Sequence, residues 1–343
     1  MKKVRIIAEV GVNHNGSINL AKKIIKKLSK LDIDFIKFQL AKPEDVYSLD
    51  AFKADYQKKN DKEKSVINMS RKLQLSKKNH QHLKNYCNKF KKKYICTAFD
   101  LDSLKYLINS IKVPLIKISS GEILSYDMLK FLSKQSKEII LSTGMSSFDE
   151  IKKSIKILNR NKKKKITLLH CTSLYPVHKK QINLNVLDQI KKIFKTPIGY
   201  SDHSLTDEAS IGAIAKGATI IEKHVTLNNN MIGPDHKASY NIKDFIRFVK
   251  KIREFEIILG NSKKVISKEE NKIKLMARKS IVSKRQITKG EILKRRDLCF
   301  KRPGTGFSPI ELNKVLGKKV KKQIGSNRVI SKKHIWLNLK EIY

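Results

Sequence analysis

The stretch IGYSDHSLTDEASIGAIAKGATIIEKHVTL, residues 198–227, contains two short apolar segments that each end in a histidine. The first segment places His203 and the second places His224. In a barrel of parallel strands, the last residues of neighbouring strands meet at the C-terminal mouth. Two neutral imidazoles there are suited to bind a divalent cation and to leave positions open for substrate. The alternative is that each histidine only satisfies a buried hydrogen bond.

Apolar segments of strand length alternate with amphipathic helical stretches through the first 260 residues. One such stretch follows the capping residue Ser17 and places Ile24 and Leu28 on its apolar face. Eight strand and helix units predict a (β/α)8, or TIM, barrel. The alternative, a doubly wound sheet, normally carries a glycine-rich loop after its first strand, whereas the first turn here reads VNHNGS. The predicted strands are 4–9, 34–39, 94–98, 115–119, 138–142, 166–171, 197–201 and 218–224.

The character of the sequence changes near residue 260. Residues 261–276 are typical of an exposed connection, and short β-like pieces separated by glycine and proline follow. We therefore predict a barrel domain over 1–260 and a small, mostly β domain over 277–343. A domain of this size buries a marginal core by itself, so we expect it to pack against the barrel or a second subunit.

The formal charge of +44 raises the possibility of a nucleic-acid-binding protein. Only 11 of the 75 lysine and arginine residues are arginine, and the lysines are spread over the polar faces of helices. Nucleic-acid readers favour arginine forks and aromatic stacking platforms in a localised patch. We therefore expect no specific nucleic-acid partner. This alternative would require tight polyanion binding at physiological salt.

Cysteine spacing and hydropathy bound the cellular setting. The four cysteines have no paired spacing, which predicts reduced thiols rather than disulfides or a zinc site. No run of 18 apolar residues and no signal-peptide pattern occurs. The sequence thus predicts a cytoplasmic protein without a membrane association.

Almost every predicted strand ends in a group that can bind a ligand or transfer a proton. Serine and threonine also cap the helix that follows a strand, so the hydroxyls alone fit a structural role. Lysines inside apolar strands are different, because a buried lysine must find an anion or lose its proton. The combination of Lys117 with hydroxyls from neighbouring strand ends predicts a phosphate site. Glu9 and Glu122 are candidates for acid and base work. The hydroxyls are those of Thr97, Ser142, Ser173 and Ser201.

Nine motifs along the chain resemble the N-acetylneuraminate (sialic acid) synthase family. They are, in order, IIAEVGVNHNGS, FIKFQ, KISSGE, ILSTGM, LHCTSLYP, IGYSDHS, EKHVTL, GPDHKAS and KRPGTG, and the resemblance runs from about residue 4 to 340. Enzymes of this family join phosphoenolpyruvate to an N-acyl mannosamine-type sugar. Their C-terminal domain is similar to type III antifreeze protein and is called a SAF domain, which agrees with the division into a barrel and a small β domain.

The resemblance implies roles for individual residues. His203 and His224 would bind the metal, Mn2+ or alternatively Mg2+ or Co2+, and Glu122 would be the base for water attack. The residues implied for phosphoenolpyruvate are Thr97, Lys117, Ser120, Ser142, Ser173 and Ser201, and the family often has asparagine in place of Ser173. The residues implied for the sugar or the water bound to the metal are Glu9, Lys37, Gln39, Tyr175 and Asp235. Arg302 would reach the acyl group of the sugar in the barrel of a partner subunit, which implies a domain-swapped homodimer.

The motifs also bear on which sugar is used. NHNG and GPDHKAS resemble the neuraminate and legionaminate branches more than the pseudaminate branch, and AFKADYQKKN, residues 51–60, favours neuraminate. The predicted activity is therefore N-acetylneuraminate synthase acting on N-acetylmannosamine. The alternative is legionaminic acid synthase acting on 2,4-diacetamido-2,4,6-trideoxymannose.

Overall fold

Eight parallel strands close into a barrel in the computed structural model, which describes residues 3–160 and 165–336. Strand β1 pairs with β2 on one side and with β8 on the other, so the sheet has no free edge. All eight predicted strands form, with ends within two residues of the predicted ones. The strands are β1 Arg5–Gly11, β2 Phe35–Leu40, β3 Lys93–Ala98, β4 Ile116–Ile118, β5 Ile139–Ser142, β6 Ile166–His170, β7 Ile198–Asp202 and β8 Ile220–Thr226. A short ninth strand, β9 Tyr240–Asn241, pairs with the end of β8.

Helices connect the strands and cover the outside of the barrel. Several begin at the capping residues that the sequence supplies. Ser17, for example, accepts a hydrogen bond from the backbone N–H of Leu20 and starts the first helix. The helices are α1 Ile18–Leu28, α2 Pro43–Val46, α3 Asp55–Asn60, α4 Val66–Leu73, α5 Lys77–Lys89, α6 Leu101–Tyr106 with a π-helical extension Leu107–Ile111, α7 Tyr126–Ser133, α8 Phe148–Leu158, α9 Val186–Phe194, α10 Glu208–Ala215 and α11 Ile242–Leu259. Three-residue 3-10 turns lie at Lys179–Gln181 and His236–Ala238.

Strand alternation divides the inside of the barrel into two layers. The lower layer is an apolar cluster of Ile7, Phe35, Ile95, Leu115, Ile140, Leu169 and Ile220. Side chains two residues further along a strand point to the same side, so the layer above begins at the i+2 positions. These positions are Glu9, Lys37, Thr97, Lys117, Ser142, Cys171 and Glu222. The barrel thus has a hydrophobic floor and a polar layer facing the C-terminal mouth.

Strand β7 has glycine at the level of the apolar floor. A Cβ on Gly199 would lie 2.4 Å from Cδ2 of Leu169 and 2.6 Å from the carbonyl oxygen of Ile220. The neighbouring strands therefore occupy the space that a side chain would need. The next inward position on β7 is Ser201, which belongs to the polar layer.

The chain divides into two compact units between Asn261 and Ser262. The predicted connection contains most of an exposed helix, α12 Lys268–Ala277. The small unit also has the antiparallel pair β10 Ser280–Ser283 and β11 Leu298–Lys301, the short helix α13 Leu312–Val315, and 3-10 turns at Arg295–Asp297, Pro309–Glu311 and Lys332–His334. Its core comprises buried side chains from Ile281 to Ile335. Residues 337–343, the end of the predicted small domain, lie outside the described residues.

Two further findings concern the setting of the chain. Within residues 3–160 and 165–336, no helix combines the length and apolar character needed to cross a bilayer. All four cysteines are free thiols, as the spacing predicted, and three of them are buried.

Candidate active site

Two lysines and two glutamates form the centre of the polar layer. The Lys37 ammonium lies 3.0 Å from a carboxylate oxygen of Glu9 and 3.5 Å from one of Glu222. Lys117 lies 3.5 Å from the other carboxylate oxygen of Glu222. All four side chains are at most 4% exposed. Buried charges of this kind persist only when they are paired, and here two cations share two anions.

The two lysines differ in how fully they are neutralised. Burial works against the charged form of Lys37, but Glu222 and Glu9 outweigh it and raise its pKa above the ordinary value. Burial dominates at Lys117 and lowers its pKa, because Glu222 is the main carboxylate near it and Lys37 repels it. An anion entering the cavity beside Lys117 would favour its charged form. Lys117 is thus the member of the pair that is prepared to bind an anionic ligand.

Glu222 is the carboxylate that both lysines share. Burial by itself would raise its pKa, but Lys117 and Lys37 lower it to about 2, so this group stays ionised. Glu9 behaves in the opposite way, because burial and the charge of Glu222 raise its pKa against the effect of Lys37. Two carboxylates with pKa values shifted apart are a common arrangement in acid and base catalysis.

Hydroxyl groups surround this charged centre. Ser201 donates to a carboxylate oxygen of Glu222 at 2.9 Å, and Thr97 accepts from Lys37 at 3.1 Å. Ser120 accepts from the backbone N–H of Gly144 at 3.0 Å. The hydroxyl of Ser142 is buried and has no hydrogen-bond partner among the described residues. A buried orphan hydroxyl in a cavity that two lysines also line indicates that a polar ligand completes the set.

Gly144 keeps space for these hydroxyls. A Cβ at this position would lie 2.4 Å from Oγ of Ser173 and 2.9 Å from both Oγ of Ser120 and Sγ of Cys171. Any larger residue would displace at least one of these groups. The loop after β5 therefore approaches the hydroxyls closely because it carries glycine.

The two predicted metal ligands lie side by side at the ends of β7 and β8. The ring centroids of His203 and His224 are 5.6 Å apart and the rings are inclined at 69°. Nδ1 of His203 lies 2.8 Å from the carbonyl oxygen of Thr172, so Nδ1 carries the proton and Nε2 keeps its lone pair. Tyr175 stacks on His203 at 4.2 Å between centroids. The tautomer and ring plane of His203 are fixed before any ligand binds.

The chemistry of this histidine pair fits a divalent metal ion. Burial lowers the pKa of His203 to about 4 and that of His224 well below its ordinary value, so both rings are neutral, as metal binding requires. Nδ1 of His224 is buried without a hydrogen-bond partner in the described part of the chain, and it lies 4.0 Å from a carboxylate oxygen of Asp235. The described residues contain no cluster of three or more His, Cys, Asp or Glu arranged to hold an ion. Water or substrate oxygens would have to supply the remaining ligands.

The site opens into two adjoining cavities. The charged lobe, about 280 Å³, contains the polar layer. The mixed lobe, about 200 Å³, lies beside it and is partly apolar. The charged lobe is lined by Glu9, Lys37, Thr97, Lys117, Ser119, Ser120, Ser142, Cys171, Ser173, Ser201, His203 and Glu222, among others. The mixed lobe is lined by Val12, Val46, Tyr47, Met69, Ser70, Leu73, Gln74, Pro234 and Asp235, among others. Both lobes share Gln39, Tyr56, Phe99, Tyr175 and His224.

The structure brings most of the predicted site residues to these lobes, but not Glu122 and Arg302. Glu122 lines a separate pocket with Asp100, and its carboxylate accepts a hydrogen bond from Ser125. Arg302 belongs to the small unit, where it is exposed and lines a groove with Arg328. These positions alone do not make Glu122 a catalytic base or Arg302 a sugar-binding residue.

Glu222, Tyr56 and Phe99 are among the lining residues that were not assigned from the sequence. Glu222 precedes His224 by two residues on β8, so strand alternation already pointed it inward, but its pairing with both lysines requires the closed barrel. Tyr56 lies on α3 in the connection after β2 and packs against Tyr175 at 5.2 Å between centroids. Phe99 follows β3 directly. The sequence carried no comparable signal for Tyr56, because a long connection brings it to the mouth.

The chain is similar to known proteins over most of its length. The NeuB family pattern matches residues 24–264, and the SAF domain pattern matches residues 278–335. The chain is 41% identical to N,N'-diacetyllegionaminic acid synthase of Campylobacter jejuni over 96% of its length and 99% of that protein. It is 31% identical to human N-acetylneuraminate-9-phosphate synthase over 92% of its length and 88% of that protein.

One solved structure is similar to this chain in both sequence and architecture. The N-acetylneuraminic acid (sialic acid) synthetase of Leptospira borgpetersenii, crystallised with citrate, superposes with a TM-score of 0.71 and 32% identity, covering 79% of this chain and 90% of that one. Sequence similarity to these relatives thus extends over 79% to 96% of this chain. The chain is an enzyme of the NeuB family, the family of sialic acid and related nonulosonic acid synthases, and it carries a C-terminal SAF domain.

Proposed function

We propose that this enzyme condenses phosphoenolpyruvate with the open-chain form of an N-acyl mannosamine-type sugar and releases inorganic phosphate. One observation carries the proposal. The incompletely neutralised cation Lys117 lies among hydroxyls in the charged lobe, beside two neutral imidazoles and a lobe large enough for part of a sugar. An anionic substrate and a polarised carbonyl compound are what such a site suits.

The reaction balances as follows. C3 of phosphoenolpyruvate attacks the aldehyde carbon of the sugar, a C–C bond forms, and the aldehyde oxygen takes a proton to become a hydroxyl. Water then adds to the cationic C2 centre and loses a proton. The new C2 hydroxyl gives its proton to the phosphate group as the C2–O bond breaks, which leaves a ketone at C2 and free hydrogen phosphate.

Residues of this chain have separate tasks in the proposal. Lys117, with the hydroxyls of Ser120 and Ser142, holds the phosphate group and stabilises its charge as it leaves. Glu9 faces the charged lobe and accepts from Gln39 at 2.9 Å, so it is better placed than Glu122 to move a proton near the reacting carbons. Asp235 and Tyr175 line the sugar side of the site.

His203 and His224 would hold the divalent ion in this proposal, with Mn2+ the first choice and Mg2+ or Co2+ the alternatives. When bound, such an ion polarises a carbonyl oxygen and makes the carbonyl carbon a better electrophile. The orphan Nδ1 of His224 and the fixed tautomer of His203 support this assignment.

The lining of the mixed lobe bears on the choice of sugar. Val12, Val46, Met69 and Leu73 present apolar groups there. An apolar wall suits the methyl group of a 6-deoxy sugar, and the similarity to the Campylobacter legionaminic acid synthase supports the same choice. We therefore propose 2,4-diacetamido-2,4,6-trideoxymannose as the first candidate substrate.

N-acetylmannosamine is the second candidate, and it was the prediction from the sequence. The hydroxyl of Ser70 and the amide of Gln74 also line the mixed lobe and offer partners to a 6-hydroxyl group. The Leptospira relative, named for N-acetylneuraminic acid, and the human relative, named for N-acetylneuraminate 9-phosphate, support it to a similar degree.

A panel of sugars distinguishes the two candidates. The purified enzyme with Mn2+ and phosphoenolpyruvate should release one phosphate per sugar consumed, and the ratio of kcat/KM between the two sugars identifies the substrate. His224→Ala, which removes one of the two protein ligands, should fail to turn over even with added Mn2+. Phosphate release that needs no sugar, or full activity in excess chelator, would contradict the proposal.

We also propose that the active enzyme is a domain-swapped homodimer. Apolar side chains are exposed on several connections at the C-terminal mouth, namely Leu49, Phe52, Met145 and Ile232. Exposed apolar groups clustered around a site are typical of surfaces that another chain covers. In this proposal Arg302 of one chain donates to the acyl carbonyl of the sugar in the barrel of the other.

Subunit mixing tests this arrangement. Arg302→Ala should weaken sugar use while Mn2+ and phosphoenolpyruvate binding stay nearly intact, and loss of a charge-assisted hydrogen bond costs about 1.5–3 kcal/mol. Exchange of subunits between Arg302→Ala and His224→Ala proteins should restore some activity, since one barrel then meets one intact arginine. Heterodimers that form but stay inactive would contradict a role across the dimer.

The predicted cytoplasmic location belongs to the proposal as well. The four free thiols support it, because disulfides form and persist mainly in oxidising compartments.

A further inference from the structure

A second pair of charges lies on the outer side of the barrel wall, directly behind the two histidines. Lys223 precedes His224 on β8, and Asp202 precedes His203 at the end of β7. Because successive strand residues face opposite sides, the imidazoles point into the barrel and these two charges point away from it. The Lys223 ammonium lies 2.8 Å from a carboxylate oxygen of Asp202, and each residue is only 1% exposed.

Both charges are fully engaged in hydrogen bonds. Lys223 also donates to the carbonyl oxygens of Ser204 at 2.7 Å and Thr206 at 3.2 Å. Asp202 accepts from the backbone N–H of Ser204 at 2.8 Å and from the hydroxyl of Ser210 at 2.7 Å. A buried ion pair with satisfied partners is costly to break, because removing one charge leaves the other uncompensated.

These contacts fix the backbone on both sides of His203. Asp202 and Ser204 flank it, and both belong to the network of Lys223. The carbonyl oxygen of His203 itself accepts from the backbone N–H of Val177 at 3.1 Å. Lys223, which immediately precedes His224, therefore fixes the backbone that carries the imidazole of His203.

Aromatic rings close the outer side of this network. The ammonium of Lys223 lies 4.2 Å from the centroid of the Tyr240 ring and 5.6 Å from that of Phe248. The hydroxyl of Tyr240 donates to Asp207 at 2.9 Å, one residue beyond Thr206. The ion pair is thus enclosed by packed side chains and has little freedom to shift.

We propose that Asp202 and Lys223 are positioning residues that hold His203 and His224 at the separation a divalent metal ion requires. The proposal rests on the metal-dependent function proposed above and goes one step further. It assigns the precision of the metal site to an ion pair that touches neither the metal nor the substrates. Partners behind metal ligands commonly change metal affinity by about 10- to 100-fold when they are lost.

Metal binding by the full chain tests the inference. Mn2+ affinity is measured by the free-ion EPR signal, without substrates, for the wild type and for Lys223→Met, Asp202→Asn and the double variant. We expect the single variants to bind Mn2+ about 10- to 100-fold more weakly. Their kcat should fall at limiting Mn2+ and recover at saturating Mn2+, while KM for phosphoenolpyruvate changes little.

Arg5→Met is the matched control. Arg5 pairs with Glu138 at 2.7 Å at the opposite, N-terminal end of the barrel strands. Its loss should lower the urea midpoint without changing the Mn2+ affinity. Asp202→Asn preserves shape, so it keeps the test informative if Lys223→Met does not fold, as monitored by circular dichroism.

The outcomes separate this inference from the proposed function. If the wild type binds Mn2+ and the folded Asp202→Asn and Lys223→Met variants bind it equally well, the positioning role is overturned. The proposed metal site then still stands. Equal loss of affinity in Arg5→Met also overturns it, because the effect would then reflect general stability. A wild-type enzyme that does not bind Mn2+ overturns the proposed metal site and, with it, this inference.

Discussion

The charged lobe and the mixed lobe adjoin each other but are built from different parts of the chain. The paired charges of the charged lobe all lie on strands, Glu9 on β1, Lys37 on β2, Lys117 on β4 and Glu222 on β8. The mixed lobe takes most of its lining from connections and short helices, including Tyr47 and the α4 residues. Strand positions are fixed by the hydrogen-bonded sheet, whereas connections vary without loss of the fold.

This difference suggests a division of labour within the site. A change in the charged lobe disturbs charges that are buried and mutually paired, so it should affect the reaction itself. A change in the mixed lobe alters the shape and polarity of a wall, so it should affect which sugar is accepted. Variants in the two lobes should therefore differ in size of effect and in the substrate whose kinetics they change.

The largest effect should come from Lys117→Met, which keeps most of the bulk and removes the charge in the phosphate site. We expect kcat/KM for phosphoenolpyruvate to fall by about 10²- to 10³-fold, the usual loss when one charge-stabilising donor is removed. The apparent KM for the sugar should change far less. Steady-state kinetics with each substrate varied in turn measures both values.

Lys23→Met is the control for that variant, because Lys23 is an exposed lysine on α1. It should leave both KM values unchanged. Equal effects of Lys117→Met on both substrates would mean that the lysine is structural or faces the sugar, and the proposed division between the lobes would fail.

A smaller loss should follow from Gly144→Ala. The added Cβ must displace Oγ of Ser173 or Oγ of Ser120, so the hydroxyls move while every charge stays in place. We expect the KM for phosphoenolpyruvate to rise by about 10-fold, within the range that misplaced binding groups cause. Gly121→Ala is the control, since its Cβ would meet only Oγ of Ser119, at 3.9 Å. Identical kinetics for the two variants would argue against a close hydroxyl cradle.

Val46→Thr should change specificity rather than rate. Val46 lines the mixed lobe, and threonine has nearly the same shape with one hydroxyl added. The ratio of kcat/KM for N-acetylmannosamine over the 6-deoxy sugar should rise by about 5-fold, because hydrophobic walls discriminate weakly against an added hydroxyl. Val265→Thr, at an exposed position in the small unit, should leave the ratio unchanged. If kcat/KM for phosphoenolpyruvate fell instead, the two lobes would not be separate in function.

The smallest expected effect is on the free energy of unfolding, and it comes from two buried histidines behind the connection that carries Val12. Burial lowers the pKa of His14 to about 4 and that of His80, on α5, to about 3. Both groups take up a proton near pH 6.5 in the unfolded chain, so below that pH the unfolded state binds more protons than the folded state. The free energy of unfolding should therefore decrease as the pH falls from about 6.5 towards 4.

Urea unfolding at several pH values tests this sign. His80→Leu should flatten the pH dependence, although the lost contact of His80 with the Tyr94 hydroxyl lowers stability at every pH. His82→Leu is the control on the same helix, at an exposed position, and should keep the wild-type slope. A slope that stays the same in His80→Leu would exclude this histidine as a source of acid sensitivity.

The sequence predicted the barrel and its polar layer because one periodicity determines both. Alternation along each strand separates Ile7 from Glu9 and Leu115 from Lys117 by two residues, which puts apolar and polar side chains in successive inward layers. The lysines were recognised because burial makes an unpaired charge costly. Motifs such as IGYSDHS then identified the family from the sequence alone.

The remaining features depend on contacts between distant parts of the chain. The charge of Glu222 is shared with Lys37 only because β8 closes onto β1 and β1 pairs with β2. Tyr56 reaches the site through a long connection whose path no local pattern specifies. The helix α12 did have a local signal, since Ser267 caps it and Glu270 follows three residues later, and the charged composition obscured that signal.

Closure of β1 onto β8 also has a consequence for how the enzyme matures. In the parallel pairing of β1 with β8, Arg5 lies opposite Ile220 and Glu9 opposite His224. Strand β1 therefore cannot pair with β8 until more than 200 further residues have been synthesised. Contacts of such long sequence separation form late and slowly. A chain emerging from the ribosome can build its early strand and helix units in order, but it cannot bring Glu9 beside Glu222 before the last barrel strand arrives. Barrel closure is therefore a precondition of catalytic competence, and a nascent chain that still lacks β8 cannot act on substrate.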